Sequence, residues 1–344
     1  MADLALLERL CRAHGISGSE GSVRDIIREE AEPFVEQMET DALGNLIVTK
    51  RGSARAKVKL MLDAHMDEVG MIVTYITDDG LLKFSCVGGI DRRVLCGKHV
   101  VVNGKIPGVI GAKPIHLLDS GDREKSVPVD DLSIDIGASS REEAEQAVRP
   151  GDPAGFWSVF DASHGTVKSK AIDDRAGCAI LLALLKKDLP YDMTFVFSVQ
   201  EEIGLRGSQT AAYSVAPGAA IVVESTTAAD IAGVEPGKQV CRVGKGPVVS
   251  FMDRGTIYDR EYYRLAFQTA REWKIPCQAK EAVAGGNNAG AIHKSRGGVR
   301  TAAVSLPCRY LHSAVGLISQ EDLRHAELLV EKLAEKIAGG ETAG

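Results

Sequence analysis

The run Thr194-Phe195-Val196-Phe197-Ser198-Val199 carries no charge and no proline, and it ends on Gln200-Glu201-Glu202-Ile203-Gly204. A β-branched and aromatic run of this kind reads as a buried strand. Its acidic end constrains the whole chain. Adjacent carboxylates repel each other, and burying both is costly unless a cation compensates. Successive residues at a strand end point in different directions, so one can bind a metal while its neighbour handles protons. An isolated Glu-Glu more often marks a solvated loop. The reading therefore depends on what the rest of the chain brings to that strand end.

The surrounding pattern is α/β. Leu4, Leu6, Leu7 and Leu10 recur at helical spacing, and a Gly-Ser break from Gly15 to Gly21 precedes a second helix from about Ser22. Val58-Lys59-Leu60-Met61-Leu62 reads as a strand that delivers Asp63-Ala64-His65-Met66-Asp67 at its end. Asp173-Asp174-Arg175 opens a helix through Leu185. Strands follow at Ala219 to Val223 and Thr301 to Leu306. Helices are expected at Ser208 to Tyr213, Asp259 to Trp273 and, after a Ser319 cap, Glu321 to Ile337.

Residues 70 to 163 have a different texture. Short apolar runs such as His99-Val100-Val101-Val102 alternate there with Gly, Asp and Pro turns, which reads as a small β-rich unit. One short helix is expected from Ser140 to Val148. The β-rich unit, 70–163, is thus inserted into a discontinuous α/β domain made of 1–69 and 164–344. Alternating strands and helices imply a mixed sheet covered by helices on both faces. Ligands of such sheets bind outside the carboxyl ends of the strands.

Composition narrows the partners. A chain of 344 residues suggests about two domains. A formal net charge of -6 argues against non-specific binding to nucleic acid or to an anionic membrane. Seven widely spaced cysteines, with no Cys-x-x-Cys, read as reduced thiols in a cytoplasmic protein. The opening Met1-Ala2-Asp3-Leu4 lacks a basic region followed by a long apolar run, so no signal peptide is expected.

The polar residues at the expected strand ends form one set. His65, Asp67, Asp173, Asp174, Glu201, Glu202, Glu224 and His312 all fall at or near the mouth of the sheet. Imidazole and carboxylate suit zinc, cobalt or manganese. Five such ligands hold two ions if one carboxylate bridges. Two ions roughly 3.5–4 Å apart can share a hydroxide and clamp a developing oxyanion.

At this point the motifs resemble a known family. Ala64-His65-Met66-Asp67-Glu68-Val69-Gly70, Ala171-Ile172-Asp173-Asp174-Arg175-Ala176-Gly177, Gln200-Glu201-Glu202-Ile203-Gly204-Leu205-Arg206-Gly207 and Pro307-Cys308-Arg309-Tyr310-Leu311-His312-Ser313 are similar, in order, to motifs of the M42 metallo-aminopeptidases. The resemblance implies an α/β/α metallopeptidase domain with an inserted PDZ-like or barrel-like dimerisation domain. It implies two divalent ions per subunit, zinc or cobalt. His65, Asp173 and Glu224 would hold one ion. Asp173, Glu202 and His312 would hold the other, with Asp173 bridging. Glu201 would be the general base toward a bridging hydroxide, and Asp67 would orient His65. It further implies short peptides as substrates and a homododecamer built from dimers.

Two positions depart from the family pattern. Glu224 stands where Asp is common, and Asn287-Asn288 stands where Thr-Asp often occurs. Arg206 and Arg309 fit either a substrate carboxylate or a structural ion pair. His99 and His116 read as structural or near a subunit contact, His164 as a domain-boundary residue, and His293 as structural in preference to lining the cleft. No His or Lys is arranged to lower a thiol pKa near Cys178 or Cys308, so a cysteine nucleophile is not expected. The residues are compatible with a co-catalytic aminopeptidase. They also leave open a deacylase or carboxypeptidase-like hydrolase on the same fold, and a non-catalytic scaffold.

Overall fold

A computed structural model describes residues 3–343. Met1 and Ala2, part of the opening segment discussed above, and Gly344 lie outside the described residues.

Helices α1 (Leu4–Arg12) and α2 (Gly21–Ala31) precede β1 (Gln37–Thr40), β2 (Leu46–Lys50) and β3 (Leu60–His65). The chain then forms β4 (Gly70–Ile76), β5 (Leu82–Val87), β6 (His99–Val102), β7 (Ile106–Gly111), β8 (Ser133–Asp135), the short α3 (Arg141–Glu145) and β9 (Pro153–Phe156). It continues through β10 (Thr166–Ser169), α4 (Ile172–Leu185), β11 (Met193–Ser198), α5 (Arg206–Val215), β12 (Ala219–Thr227) and β13 (Val248–Val249). Last come α6 (Arg260–Glu272), β14 (Gln278–Ala279), α7 (Ala289–Ile292), β15 (Arg300–Cys308), β16 (Gly316–Ser319) and α8 (Gln320–Ala338).

Eight strands make one mixed sheet in the order β1-β2-β11-β3-β12-β15-β13-β14. Its centre, β11, β3, β12 and β15, is parallel, so these strands end on the same side. Strands β2 and β13 join that centre antiparallel. The period of two along each strand sorts side chains to opposite faces. Leu62, Phe195, Phe197 and Val223 pack into the core shared with α1, α4 and α8. Met61, Val196, Val222 and Ala303 pack on the other face against Ala211 and Ala212 of α5 and Ile292 of α7. The expected helix–sheet–helix layering is what the chain forms.

The β-rich unit is a closed six-stranded barrel, β4-β5-β8-β7-β6-β9, with antiparallel pairing throughout. Of the two forms expected, it is therefore the barrel. Closure removes the edges that a small sheet would otherwise expose. Val73, Phe84, Val100, Ile110, Ile134 and Phe156 fill its own core, and Ala314, just past His312, packs into the same cluster.

Two caps follow the sequence reading, Ser140 and Ser319, and Asp259, which the reading put inside its helix, is a third. The side chains of Ser140, Asp259 and Ser319 accept from backbone N–H groups at the starts of α3, α6 and α8. Several boundaries differ from expectation, three of them at the site. Strand β3 runs on to His65, which was expected beyond a strand ending at Leu62. Strand β12 runs on to Thr227, so Glu224 lies inside the strand and not beyond its end. The regular part of α4 starts only after Asp173 and Asp174, whose backbones are not helical. Asp174 Oδ1 accepts from the Gly177 N–H at 3.0 Å, so the second aspartate caps the helix proper.

The barrel leaves the main sheet immediately after Asp67, and a buried ion network fixes that exit. Arg175 is fully buried and donates to the carbonyls of Met66 (2.7 Å) and Gly15 (3.3 Å), and to Glu68 Oε1 at 3.2 Å. Lys170 donates to both oxygens of Glu68, at 2.7 and 2.9 Å. At Gly70 an added Cβ would lie 2.3 Å from Ile16 Cγ2, so the first barrel residue must be glycine. Arg175→Met leaves carbonyls and part of Glu68 unpaired in a dry site, which is expected to cost about 3–5 kcal/mol. A urea denaturation midpoint close to that of the parent protein would contradict this account.

Candidate metal centre

Strand β3 delivers His65 at its carboxyl end, and β11 delivers the Glu201-Glu202 turn beside it. Glu224 lies in β12, Asp173 lies at the distorted start of α4, and His312 follows β15. The structure brings these residues together. His65 Nε2 is 3.4 Å from Asp173 Oδ1 and 3.4 Å from Glu224 Oε1. His312 Nε2 is 3.5 Å from Asp173 Oδ2 and 3.3 Å from Glu202 Oε2. The two oxygens of Asp173 thus face the two imidazoles separately. Glu201 Oε2 is 3.9 Å from His65 Nε2.

The backbone around the site is bent into left-handed conformations that non-glycine residues rarely adopt. Ala171, Gln200, Leu205, Tyr310 and His312 all have φ between 54° and 59°. Each flanks or carries a residue of the cluster. Such strain persists only where surrounding contacts impose it, and it concentrates at functional sites.

Asp67 has more partners than the sequence reading foresaw. Its Oδ1 is 3.4 Å from His65 Nδ1, and its backbone carbonyl is 3.0 Å from the same nitrogen. The same carboxylate accepts from the backbone N–H groups of Glu201 (3.0 Å) and Glu202 (3.1 Å), and from Ser17 Oγ at 2.6 Å. One buried carboxylate therefore aims the imidazole and holds the backbone of the acid pair.

Burial dominates the electrostatics. It pushes the Glu202 carboxyl up to about 8, with Asp173 adding repulsion. It pushes Glu224 up to about 7. Glu201 and Asp174 rise well above the carboxylate range, again from burial first and from neighbouring carboxylates second. Burial works against charge on His312, yet Asp173 and Glu202 raise it to about 9. Burial also opposes charge on His65, but the carboxylates of Glu224 and Asp173 overcome it and hold its pKa high. The site has more buried negative charge than its two imidazoles can balance.

That surplus fits divalent cations. His65, Asp173 and Glu202 offer ligand atoms all within 4.8 Å of one another, and so do His65, Asp174 and Glu224. Asp173 Oδ1 and Asp174 Oδ2 are buried with no hydrogen-bond partner. Nitrogen and oxygen donors of this kind suit zinc, cobalt and manganese. The second grouping contains Asp174, which the sequence reading placed at the mouth of the sheet but favoured as shaping the helix start over binding metal.

The other sequence candidates have ordinary roles. Arg309 pairs with Asp230 at 2.8 Å. His293 Nδ1 lies 2.6 Å from the Ala289 carbonyl one helical turn back. The His99 ring lies 6.0 Å from that of Trp157. Cys178 Sγ donates to the His65 carbonyl at 3.1 Å, and burial holds its thiol well above the usual range. Asn287 bonds Tyr258, while Asn288 donates to Asp63 Oδ1 at 2.6 Å and to Ser198 Oγ at 2.9 Å beneath the cluster.

The sequence reading missed the supporting groups Ser17, Asp63, Glu68, Lys170 and Ser198, and noted Asn288 only as a departure from the family pattern. Only the Gly-rich break at 15–21 and the acid at 63 gave any local signal. Their partners lie 50 to 225 residues away in the chain.

Comparison with known proteins agrees with this geometry. The model of the M42 glutamyl aminopeptidase family matches residues 44–329. A putative aminopeptidase of Acetivibrio thermocellus is 40% identical over 95% of this chain and 97% of its own length. The lysyl aminopeptidase of Pyrococcus furiosus is 32% identical over 98% of each. The Pyrococcus horikoshii TET1 peptidase, which can assemble into a tetrahedron or a large octahedral shell, superimposes with a TM-score of 0.86. It is 37% identical, over 96% of this chain and 98% of that one. The chain belongs to the M42 aminopeptidase family and is a peptidase by class.

Two outcomes test the centre. Metal must displace protons from groups such as Glu202 (about 8) and His312 (about 9), so apparent metal affinity is expected to rise between pH 6 and 9. The slope is roughly tenfold per pH unit for each proton displaced. Competition with a chromophoric chelator reads it, and a flat profile contradicts the charge balance described above. Asp67→Ala is expected to weaken metal binding by about 10–100-fold in the same assay.

Proposed function

We propose that this protein is a co-catalytic two-metal aminopeptidase that releases amino acids one at a time from the N-termini of short peptides. The observation that carries the reading is Asp173. Its two oxygens face His65 with Glu224 on one side and His312 with Glu202 on the other, and Glu201 stands beside them.

In this reading His65, Asp173 and Glu224 hold one ion, and Asp173, Glu202 and His312 hold the second. Zinc or cobalt suits the donors. When bound, the ions supply Lewis acidity toward the scissile carbonyl and toward water. Glu201 is the proton carrier: it takes a proton from the attacking water and gives it to the leaving amine. Asp67 keeps His65 and the Glu201-Glu202 backbone in register for that exchange. Glu201 and Glu224 line one cleft, a setting that favours the free ammonium group of a peptide N-terminus. Glu224 supplies the same oxygen donor as aspartate from a longer side chain, and its place inside β12 supports it as a ligand.

The inserted unit, 70–163, is read as the dimerisation domain, and the assembly as a homododecamer built from dimers. The related TET1 shell supports this. So do exposed apolar side chains beside the barrel, including Ile115, Leu117, Trp157 and Val159. The seven free cysteines support a cytoplasmic setting. Among the described residues, no helix is long and apolar enough to cross a membrane.

Glu201→Gln, still carrying its metals, is expected to lose about 10²–10⁴-fold in turnover. Near-parental turnover with full metal content rules out the proton-carrier role. A panel of free and N-acetylated peptides tests the direction of attack. Cleavage of the acetylated set alone would point to a deacylase.

A further inference from the structure

Asn287 and Asn288 lie beside the metal centre, and the mechanism above uses neither. Both are buried, and they end an irregular stretch, 281–286, that is exposed or half-buried. Gly285, Gly286 and Asn287 line a cleft of about 140 Å³ that Asp173, Glu201, Glu224 and His312 also line.

The two adjacent amides are fastened to two different buried carboxylates. Asn288 Nδ2 donates to Asp63 Oδ1 at 2.6 Å and to Ser198 Oγ at 2.9 Å, and Ser198 Oγ donates to the same Asp63 oxygen at 3.3 Å. Asn287 Nδ2 donates to Tyr258 Oη at 3.0 Å, and Tyr258 Oη donates to Asp253 Oδ2 at 2.5 Å. Asp253 also accepts from the backbone N–H groups of Gly255 (2.7 Å) and Thr256 (2.8 Å), and the Arg254 N–H between them bonds the Gly285 carbonyl at 2.9 Å.

Asp63 is the costly member of this arrangement. It is fully buried, and among the described residues it forms no ion pair; the Asn288 amide and the Ser198 hydroxyl are its donors. An apolar residue would fill the same core position without the cost of burying a carboxylate. What the carboxylate adds is direction, since a charge-assisted hydrogen bond holds its donor at a defined place. That place is set by the strands of the metal centre. Asp63 precedes His65 by two residues on β3 and so shares its face, and Ser198 ends β11 just before the glutamate turn.

We propose that Asp63 and Asn288 are positioning residues for the substrate: the pair fixes segment 285–288 against the strands that carry the metal ligands, and so sets the width of the cleft that receives the N-terminal residue of a peptide. The inference rests on the aminopeptidase reading. A loosened segment leaves the ligands of the centre in place but lets the cleft vary in width, so the loss falls on substrate binding before it falls on turnover. Neither residue touches the reacting atoms.

The test uses the metal-loaded full chain and, from a set of free aminoacyl p-nitroanilides, the one the parent hydrolyses fastest. Asn288→Ala is expected to raise KM by about tenfold and to change kcat by less than about threefold, with metal affinity, read by chelator competition, unchanged. Asn288→Asp sets two carboxylates against each other and is expected to raise KM further. The exchange of Asp63→Asn together with Asn288→Asp again gives one amide and one carboxylate, and is expected to bring KM back to within about threefold of the parent value. If Asn288→Asp does not fold, Ser198→Ala supplies a milder perturbation, with an expected rise in KM of about threefold. A pair that only packs the core would lower the melting temperature and leave KM unchanged. An unchanged KM in folded Asn288→Ala therefore overturns the proposal. So does a folded exchange variant with KM no better than that of Asn288→Asp, and so does a loss of metal affinity in Asn288→Ala, which would make the pair a support for the ions instead. A metal-loaded parent that hydrolyses none of the free aminoacyl reporters defeats the aminopeptidase reading itself, and this inference with it.

Discussion

Surplus negative charge at the carboxyl ends of the parallel strands is the constraint on which the rest of the structure depends. Burial and mutual repulsion raise Glu201, Glu202, Glu224 and Asp174 above the usual carboxylate range, and the two imidazoles cannot offset that many acids. A buried cluster of like charge persists only when something else fixes its geometry. Here the fixing comes from the sheet. Four parallel strands bring their ends to one place, and the period of two sends Asp63, His65, Ser198 and Glu224 toward one side of it.

The supporting contacts lie between domains as much as beneath the site. Asp67 ties His65 to the backbone of the glutamate turn and to Ser17 in the N-terminal loop. One residue further on, Glu68 is clamped by Lys170 and Arg175 where the chain passes into the barrel. On the far side, the His312 loop touches the barrel as well: the ring's Nδ1 is 3.0 Å from the Gly89 carbonyl, and Ala314 joins the barrel core. Both imidazoles are thus aimed by contacts at the junction of the two folds. A shift of the barrel would move both imidazoles relative to the acidic cluster.

Much of this was legible in the chain. The apolar run at 194–199, the alternation around it and the capping residues at 140 and 319 signal their structure through short-range physics: side-chain packing periods and local hydrogen bonds. The change of texture at residue 70 signals the barrel for the same reason. The pairing partners of Asp63, Asp67 and Glu68 were not legible. A salt bridge or hydrogen bond between residues 50 or more apart leaves no periodic trace in one sequence.

The sequence by itself determined the kind of chemistry. Acids and imidazoles placed after buried apolar runs can hold metal wherever those runs are brought together, and the order of the motifs matches one family. Only the tertiary structure decided how the groups divide. It set the two oxygens of Asp173 toward two different imidazoles, placed Glu224 inside its strand, and made Asp174 both a cap and a carboxylate of the cluster. The reason is dimensional. Side-chain type is a property of position along the chain, whereas pairing, burial and the shift in charge that follows depend on separations of a few ångströms that only strand register and packing define.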